Sequence, residues 1–378
     1  MSADDGAPPP DEYIGRPPGA TRGPFVGPGA RAGSGAAQRS TRMLAEAREA
    51  PAAVSRQLAQ DDPAYSDFGA LLRAKQPSSL LTIARGSSDH AAHFMAYLIM
   101  ARLGRLVTSL PMSLITLYQS QIQCQGLTSF AFSQSGQIPD LVAPTRFFTE
   151  GGATTAAFVN DPDSPLARAA QWVFPLHAGE EASVAATKSF IAQLVAGARL
   201  VAAWQDDLVL QAALSGLPGV LSRAAHTDWS AAVDALANAD RLFVIGRGTG
   251  LPIALEAALK FKETCAIQAE AFSGAEVKHG PMALIDEGYP LLVFAPRGPA
   301  QAGLLSLADE MRLRGARVLL AAPAGTPGCS LPIIETASVE LDPISAIQSF
   351  YPMVEALARV RGFDPDRPPH LAKVTRTQ

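Results

Sequence analysis

The 378-residue chain is short of cysteine, histidine, charge and long apolar runs, and each shortage removes a class of protein. Its three cysteines, Cys124, Cys265 and Cys329, are far apart and odd in number, which fits neither a zinc cluster nor a disulfide framework. A reducing, cytoplasmic setting is the resulting expectation. No run approaches the ~18 consecutive apolar residues of a membrane span. The start lacks a basic segment followed by an apolar core, so no secretory signal is expected. A formal net charge of −4 argues against nucleic acid as the main partner. Of the six histidines only His90 and His93 are close in sequence, without a ligand pattern around them, and no metal is expected. Nucleotide fingerprints are missing too: there is no G-x-x-x-x-G-K-[ST], and Gly246 to Gly250 lacks the G-x-G-x-x-G spacing.

What remains is an α/β pattern, 48% apolar and 17% charged. Residues Met1 to Arg42 are rich in Pro, Gly, Ala and Ser and read as a disordered extension. Met43 opens the first helical pattern and stands as an alternative start. Met43 to Leu58 reads as an amphipathic helix broken near Pro51. Apolar runs at Ser79–Ala84, Val107–Leu110, Thr128–Phe132, Thr154–Val159 and Trp172–Leu176 read as strands. Between them lie helical stretches, among them His90–Leu103, a helix within Pro111–Gln123, one opened by Pro139, and Lys188–Gln205. Strand, loop and helix in alternation signal a parallel sheet covered on both faces.

The second half repeats the first. Ile83-Ala84-Arg85-Gly86-Ser87 matches Ile245-Gly246-Arg247-Gly248-Thr249, a spacing of 162 residues (Arg85 to Arg247). Phe130-Ala131-Phe132-Ser133 matches Val293-Phe294-Ala295-Pro296 at nearly that spacing. Later strands are expected at Leu291–Ala295, Arg317–Ala321 and Val339–Leu341, and a last helix at Ser345–Arg361. The expected architecture is two tandem doubly wound, flavodoxin-like modules, residues 43–216 and 217–378, with a linker near Gly216–Leu221.

The chemistry concentrates between Val244 and Pro281. A buried strand ends in the glycine turn Gly246–Gly250, and a helix opens near Pro252. At about 100° per residue, Glu256, Lys260 and Glu263 fall near 0°, 40° and −20°, on one face. Glu270, Lys278 and His279 follow. A solvated face with i,i+4 ion pairs would look similar. The flanking glycine turn and Lys278-His279-Gly280-Pro281 favour a proton-transfer site. In the first half, Ser133-Gln134-Ser135-Gly136 follows a buried strand and precedes a helix, and Ser87 and Ser88 follow another. Hydroxyls, an amide and free N–H groups at a helix start suit a phosphate, although serines there also serve as plain caps. The halves divide the work: phosphate held by the first, proton transfer by the second.

These motifs resemble the two-module sugar isomerase (SIS) family, in particular the isomerase part of glucosamine-6-phosphate synthase and its stand-alone deaminase relatives. The resemblance runs from Met43 to the C-terminus. It is carried by Arg85-Gly86-Ser87-Ser88, Ser133-Gln134-Ser135-Gly136, Ser183-Val184-Ala185-Ala186-Thr187-Lys188-Ser189-Phe190, Ala257 to Glu263, Glu276 to Pro281, and Leu371-Ala372-Lys373. It implies phosphate binding by Ser88, Ser133, Gln134 and Ser135 with Ser87 alongside, and sugar contacts from the backbone of Val184, Ala185 and Ala186. It implies a proton-shuttling Glu263, a catalytic-helix Lys260, and a tail Lys373 near the sugar carbonyl; Glu256, on the same face as Lys260, is expected to bind the substrate. Ring opening would fall to His279, reaching the site from the neighbouring subunit of a homodimer. Two departures stand out. The synthase's glutaminase domain is replaced by Met1 to Arg42, so the reaction is expected to run towards ammonia release. Ile138 stands where the synthase's phosphate loop has a hydroxyl. The implied activity is deamination of glucosamine 6-phosphate to fructose 6-phosphate, without metal or organic cofactor. Rivals are a galactosamine-6-phosphate enzyme, an ammonia-dependent synthase, and a sugar-phosphate-sensing regulator; the last would need a DNA-binding module for which the N-terminal segment is too short and proline-rich.

Overall fold

Short, mostly buried strands rich in leucine, alanine, valine and phenylalanine set the architecture of the chain, seen in a computed structural model that describes residues 40–60, 63–371 and 373. The expectation of disorder for Met1 to Arg42 falls almost wholly outside the described residues. The first sheet contains β1 (Ser79–Ile83), β2 (Val107–Ser109), β3 (Leu127–Ser133), β4 (Thr154–Val159) and β5 (Trp172–Pro175). The second contains β6 (Arg241–Gly246), β7 (Gln268–Ser273), β8 (Pro290–Phe294), β9 (Arg317–Pro323) and β10 (Leu331–Ile333). Both are fully parallel, in the orders β2-β1-β3-β4-β5 and β10-β9-β8-β6-β7.

In the first half the helices are α1 (Arg42–Ala59), α2 (Pro63–Lys75), α3 (Ser87–Leu103), α4 (Ser113–Thr116), α5 (Pro139–Glu150), α6 (Pro165–Ala169) and α7 (Lys188–Gln205). Three short helices, α8 (Leu208–Ser215), α9 (Leu217–Ala224) and α10 (Ser230–Leu236), lead into the second half. That half adds α11 (Leu251–Cys265), α12 (Gln301–Leu313) and α13 (Asp342–Val360). One core cluster joins the halves, with Phe94, Met95, Phe190 and Leu194 packed in the same network as Ala257, Phe261, Phe350 and Tyr351.

The duplication is visible in register. Ile83 pairs with Ala131 and Ile245 pairs with Val293, so both partners are displaced by 162 residues. Helices α3 and α11 then end at the same step, with Gly104 and Ala266 both in the left-handed region at φ 63° and 51°. This register corrects the sequence alignment of the two loops by one residue. Ser133, Gln134, Ser135 and Gly136 correspond to Ala295, Pro296, Arg297 and Gly298. Gly136 and Gly298 both have positive φ, 63° and 119°.

Several local expectations change. α1 is not broken at Pro51: Met43, Ala47, Ala50 and Val54 are fully buried along it, and it packs on α7, α9 and α13. That burial offsets the ~3 kcal/mol a mid-helix proline costs. The supposed linker at Gly216–Leu221 is mostly helix α9, because Leu217 and Leu221, one turn apart, are both fully buried and Pro218 sits in the first turn. Within Pro111–Gln123 only Ser113–Thr116 is helical; Leu117 and Tyr118 are exposed and Gln119 turns left-handed at φ 49°. Val339–Leu341 is a 3₁₀ turn, the sheet edge being taken by β10. β7, whose small and polar residues gave no strand signal, pairs with β6 along its whole length.

Candidate active site

Helix α11 starts where β6 ends, with Pro252 in its first turn. Ile253, Ala257 and Phe261 bury its apolar face, and the row of Glu256, Lys260 and Glu263 lies beside it. Lys260 Nζ is 3.4 Å from Glu256 Oε1 and 2.5 Å from Glu263 Oε2. The three side chains differ sharply in access. Those of Glu256 and Lys260 are 0% and 1% exposed, whereas that of Glu263 is 19% exposed. Only Glu263 of the row therefore presents a carboxylate to a bound molecule.

Glu256 is tied to three other elements. Its Oε2 lies 3.0 Å from His90 Nδ1 of α3, its Oε1 accepts the Tyr351 hydroxyl of α13 at 3.3 Å, and the Ser87 hydroxyl after β1 also hydrogen-bonds it. Burial alone would raise this carboxyl; the Lys260 ammonium, with His90 and Ser87, outweighs it and holds Glu256 below its ordinary value. Burial alone would likewise lower Lys260, and the two glutamates outweigh that and raise it. Burial pushes the Tyr351 phenol well up, helped by Glu256, Glu181 and Glu263. Fully enclosed and bonded, Glu256 positions Lys260 and ties α11 to the turn after β1. Its side chain, 0% exposed, leaves no open surface for the substrate contact expected of it.

The turn after β1 and the loop after β3 emerge side by side at the carboxyl edge of the first sheet. The Ser133 and Ser135 hydroxyls accept the N–H groups of Gly136 at 3.0 Å and Gln137 at 3.3 Å, which folds the loop over itself. Gly136 must be glycine here, since a Cβ would sit 2.1 Å from Ser164 Oγ. Ser133 is buried, while Gln134 and Ser135 are half-buried. The Ser88 hydroxyl accepts from Gln193 Nε2 at 2.9 Å. The segment Val184–Ala186 is held from both sides by carboxylates. Glu181 accepts the N–H groups of Thr187 at 2.9 Å and Ser189 at 3.2 Å, and Glu46 accepts those of Ala182 at 2.6 Å and Ser183 at 3.3 Å. Lys373 is drawn to the same place, with Nζ donating to the Ser183 carbonyl at 2.5 Å and lying 3.6 Å from Glu181.

His279 is not brought to this cluster. It sits on an exposed turn after β7, and its side chain makes no hydrogen bond or ion pair among the described residues. His90, Tyr351 and Glu181 were missed by sequence reasoning. His90 was weighed only as half of a metal pair, and among the described residues no cluster of three metal-ligating side chains exists. Nothing in the spacing of Tyr351 or Glu181 announces a contact across the chain. No helix among the described residues is long and apolar enough to cross a membrane.

Two parallel sheets, each with its strand order reversing beside its first strand, define a duplicated doubly wound α/β protein, with the ion-bearing α11 packed against α3 of the first half. Residues 74–203 and 235–358 match the SIS domain, and the chain belongs to that family. It is 33% identical over 337 residues to a glutamine–fructose-6-phosphate aminotransferase (isomerizing) of Zymomonas mobilis, covering 85% of this chain and 54% of that one. The chain thus spans about half the length of such relatives. Among solved structures it is similar to a candidate phosphosugar isomerase of Silicibacter pomeroyi, with TM-score 0.82 and 42% identity over 86% of this chain and all of that one. It is also similar to the C-terminal domain of glucosamine-fructose-6-phosphate aminotransferase from Francisella tularensis, with TM-score 0.79 and 26% identity over 87% of this chain and 99% of that one.

Proposed function

We propose that the protein acts on a phosphorylated amino sugar, isomerising and deaminating glucosamine 6-phosphate to fructose 6-phosphate and ammonia. The observation that carries this reading is the buried Glu256–Lys260–Glu263 row with only its last carboxylate open. A base that moves a proton between neighbouring carbons must reach the substrate, and of the row only Glu263 is open to it. Its Oε2 accepts a hydrogen bond from the Lys260 ammonium at 2.5 Å, which fixes where the carboxylate points. Ser88, Ser133, Gln134 and Ser135 would take the phosphate, with Ser87 alongside and its hydroxyl kept on Glu256, and Val184 to Ala186 would take the sugar. With the ring open, Glu263 removes the C2 proton and the electrons pass to the C1 carbonyl. Return of a proton to C1 leaves an imine at C2. Water adds to that imine and ammonia departs, giving the ketose. Lys373 would lie at the carbonyl end. His279 would assist ring opening from a second copy of the chain, since its own copy keeps it on an exposed turn.

The aminotransferase relatives favour a second reading, in which the same residues run the reaction from fructose 6-phosphate and ammonia. Both directions share the C2 proton step. One assay separates them: ammonia release from a panel of amino-sugar phosphates, run beside amino-sugar formation from fructose 6-phosphate with ammonium. Release from glucosamine 6-phosphate above all other substrates supports deamination. Turnover in neither direction, with sugar phosphate bound, would remove the amino-sugar reading.

A further inference from the structure

The second sheet has its own crevice. Strand order reverses between β6 and β8, and the turns after these strands line a cavity of about 460 Å³. Ligands of open parallel sheets sit at such reversal points, outside the carboxyl ends of the strands. The opposite wall is α3, through Tyr97, Leu98 and Ala101. In the register of the duplication these stand where α11 has Leu259, Lys260 and Glu263. The positions of the ammonium and the proton-transferring carboxylate thus hold Leu98 and Ala101, and the cavity has lost the means of that chemistry.

It keeps the means to hold an anion. Arg247 is exposed, and its guanidinium has no partner among the described residues. It lies 4.0 Å from where a Cβ on Gly303 would be, in the first turn of α12, and that helix opens at Ala300 without a side-chain cap. Thr249 lines the cavity in the place of Ser87, its hydroxyl unpartnered among the described residues. Gly248 and Gly298, at φ 63° and 119°, put no side chain of their own into the opening between the two turns. Arg297 is not available for a ligand, because Asp342 and Glu335 hold it at 2.7 and 2.9 Å. Glu340 also lines the cavity but is paired with Arg102, so among the lining residues Arg247 is left as the free cation, enough for one anionic group. Tyr97, Leu98, Pro296 and Val339 supply a largely apolar wall, on which a sugar ring can lay its C–H face.

We infer that this crevice is a second, non-catalytic site for a small sugar phosphate, with the phosphate on Arg247 and Thr249 and the ring against Tyr97. The choice of sugar phosphate as ligand rests on the proposed function of the first crevice; the cavity and its free arginine do not. The test is equilibrium dialysis of fructose 6-phosphate against the full chain. Two equivalents are expected per chain. Arg247→Gln with Thr249→Val should weaken one of them at least about tenfold, as loss of a charge-assisted contact does. It should leave kcat and KM at low substrate within about twofold. Ala101→Trp, an exposed position on the cavity wall, should remove the same equivalent by filling the space. Ser133→Ala with Ser135→Ala should remove the other. A single equivalent in the unaltered chain overturns the inference, and so does a second equivalent that survives both Arg247→Gln/Thr249→Val and Ala101→Trp. Binding of inorganic phosphate at Arg247 without binding of the sugar phosphate overturns it as well. If instead the serine variants change nothing while the Arg247 and Ala101 variants do, the assignment of the first crevice fails and the second site stands.

Discussion

Helices α3 and α11 are one element used twice, and they bury opposite kinds of side chain. Where α11 has Glu256, α3 has Phe94, and both are fully buried. Where α11 has Lys260 and Glu263, α3 has Leu98 and Ala101. The same backbone, ended by the same left-handed step, is therefore compatible with an apolar row. Burying charges costs several kcal/mol per ion, and apolar replacements of a buried ion set are often neutral or stabilising. The fold does not require the ionic row, which is the contrast expected if α11 carries it for the proposed chemistry. His90, Tyr351 and Ser87, each spending a polar group on Glu256, hold that row in one geometry.

The largest effect should come from removing the one open carboxylate. Glu263→Gln keeps size and loses basicity, and kcat should fall by about two to four orders of magnitude with little change in KM. Exchange of the C2 hydrogen with solvent deuterium, followed by NMR in the same sample, should fall in parallel. Normal exchange with no ammonia release would move Glu263 to imine hydrolysis. The equivalent change on α3, Ala101→Gln, should leave turnover within about twofold, and a larger loss would undo the contrast between the two crevices.

Lys260→Met strands Glu256 in the core and should cost about 3–5 kcal/mol in urea unfolding. Adding Glu256→Met should not raise that cost, because the uncompensated charge goes with it. Leu98→Met, its counterpart on α3, should cost under about 1.5 kcal/mol. Additive losses for the two α11 changes would show that the row stabilises the fold in its own right.

Ser135→Ala should raise KM roughly tenfold with kcat nearly unchanged, since a phosphate contact serves ground and transition states alike. A fall in kcat at constant KM would place Ser135 nearer the reacting carbons.

The smallest effect is on acid stability. Glu256 is held below its ordinary 4.5 in the folded chain, so its contribution is fully present above that value and is lost as pH falls through the lower folded one. Between pH 5 and pH 3, Glu256→Gln should lose less stability than the unaltered chain. Parallel curves would separate Glu256 from the acid limb.

Local pattern determined much of this protein. Alternation of apolar runs with glycine or serine turns was enough for two parallel doubly wound sheets, because both signals are short-range. The 162-residue repeat was legible for the same reason, and helical geometry alone set Glu256, Lys260 and Glu263 on one face. Tertiary structure decided the rest. β7 owes its strand to pairing with β6, since its own residues carry no such signal. α1 runs through Pro51 because a distant surface buries it. The one-residue register of Ser135 against Arg297 came from strand pairing, which no comparison of two degenerate loops fixes. The identity of the open carboxylate also came from packing. Sequence places three ionisable groups on one face, but which of them meets solvent depends on α3 and α13, whose His90 and Tyr351 close over Glu256 from 166 and 95 residues away.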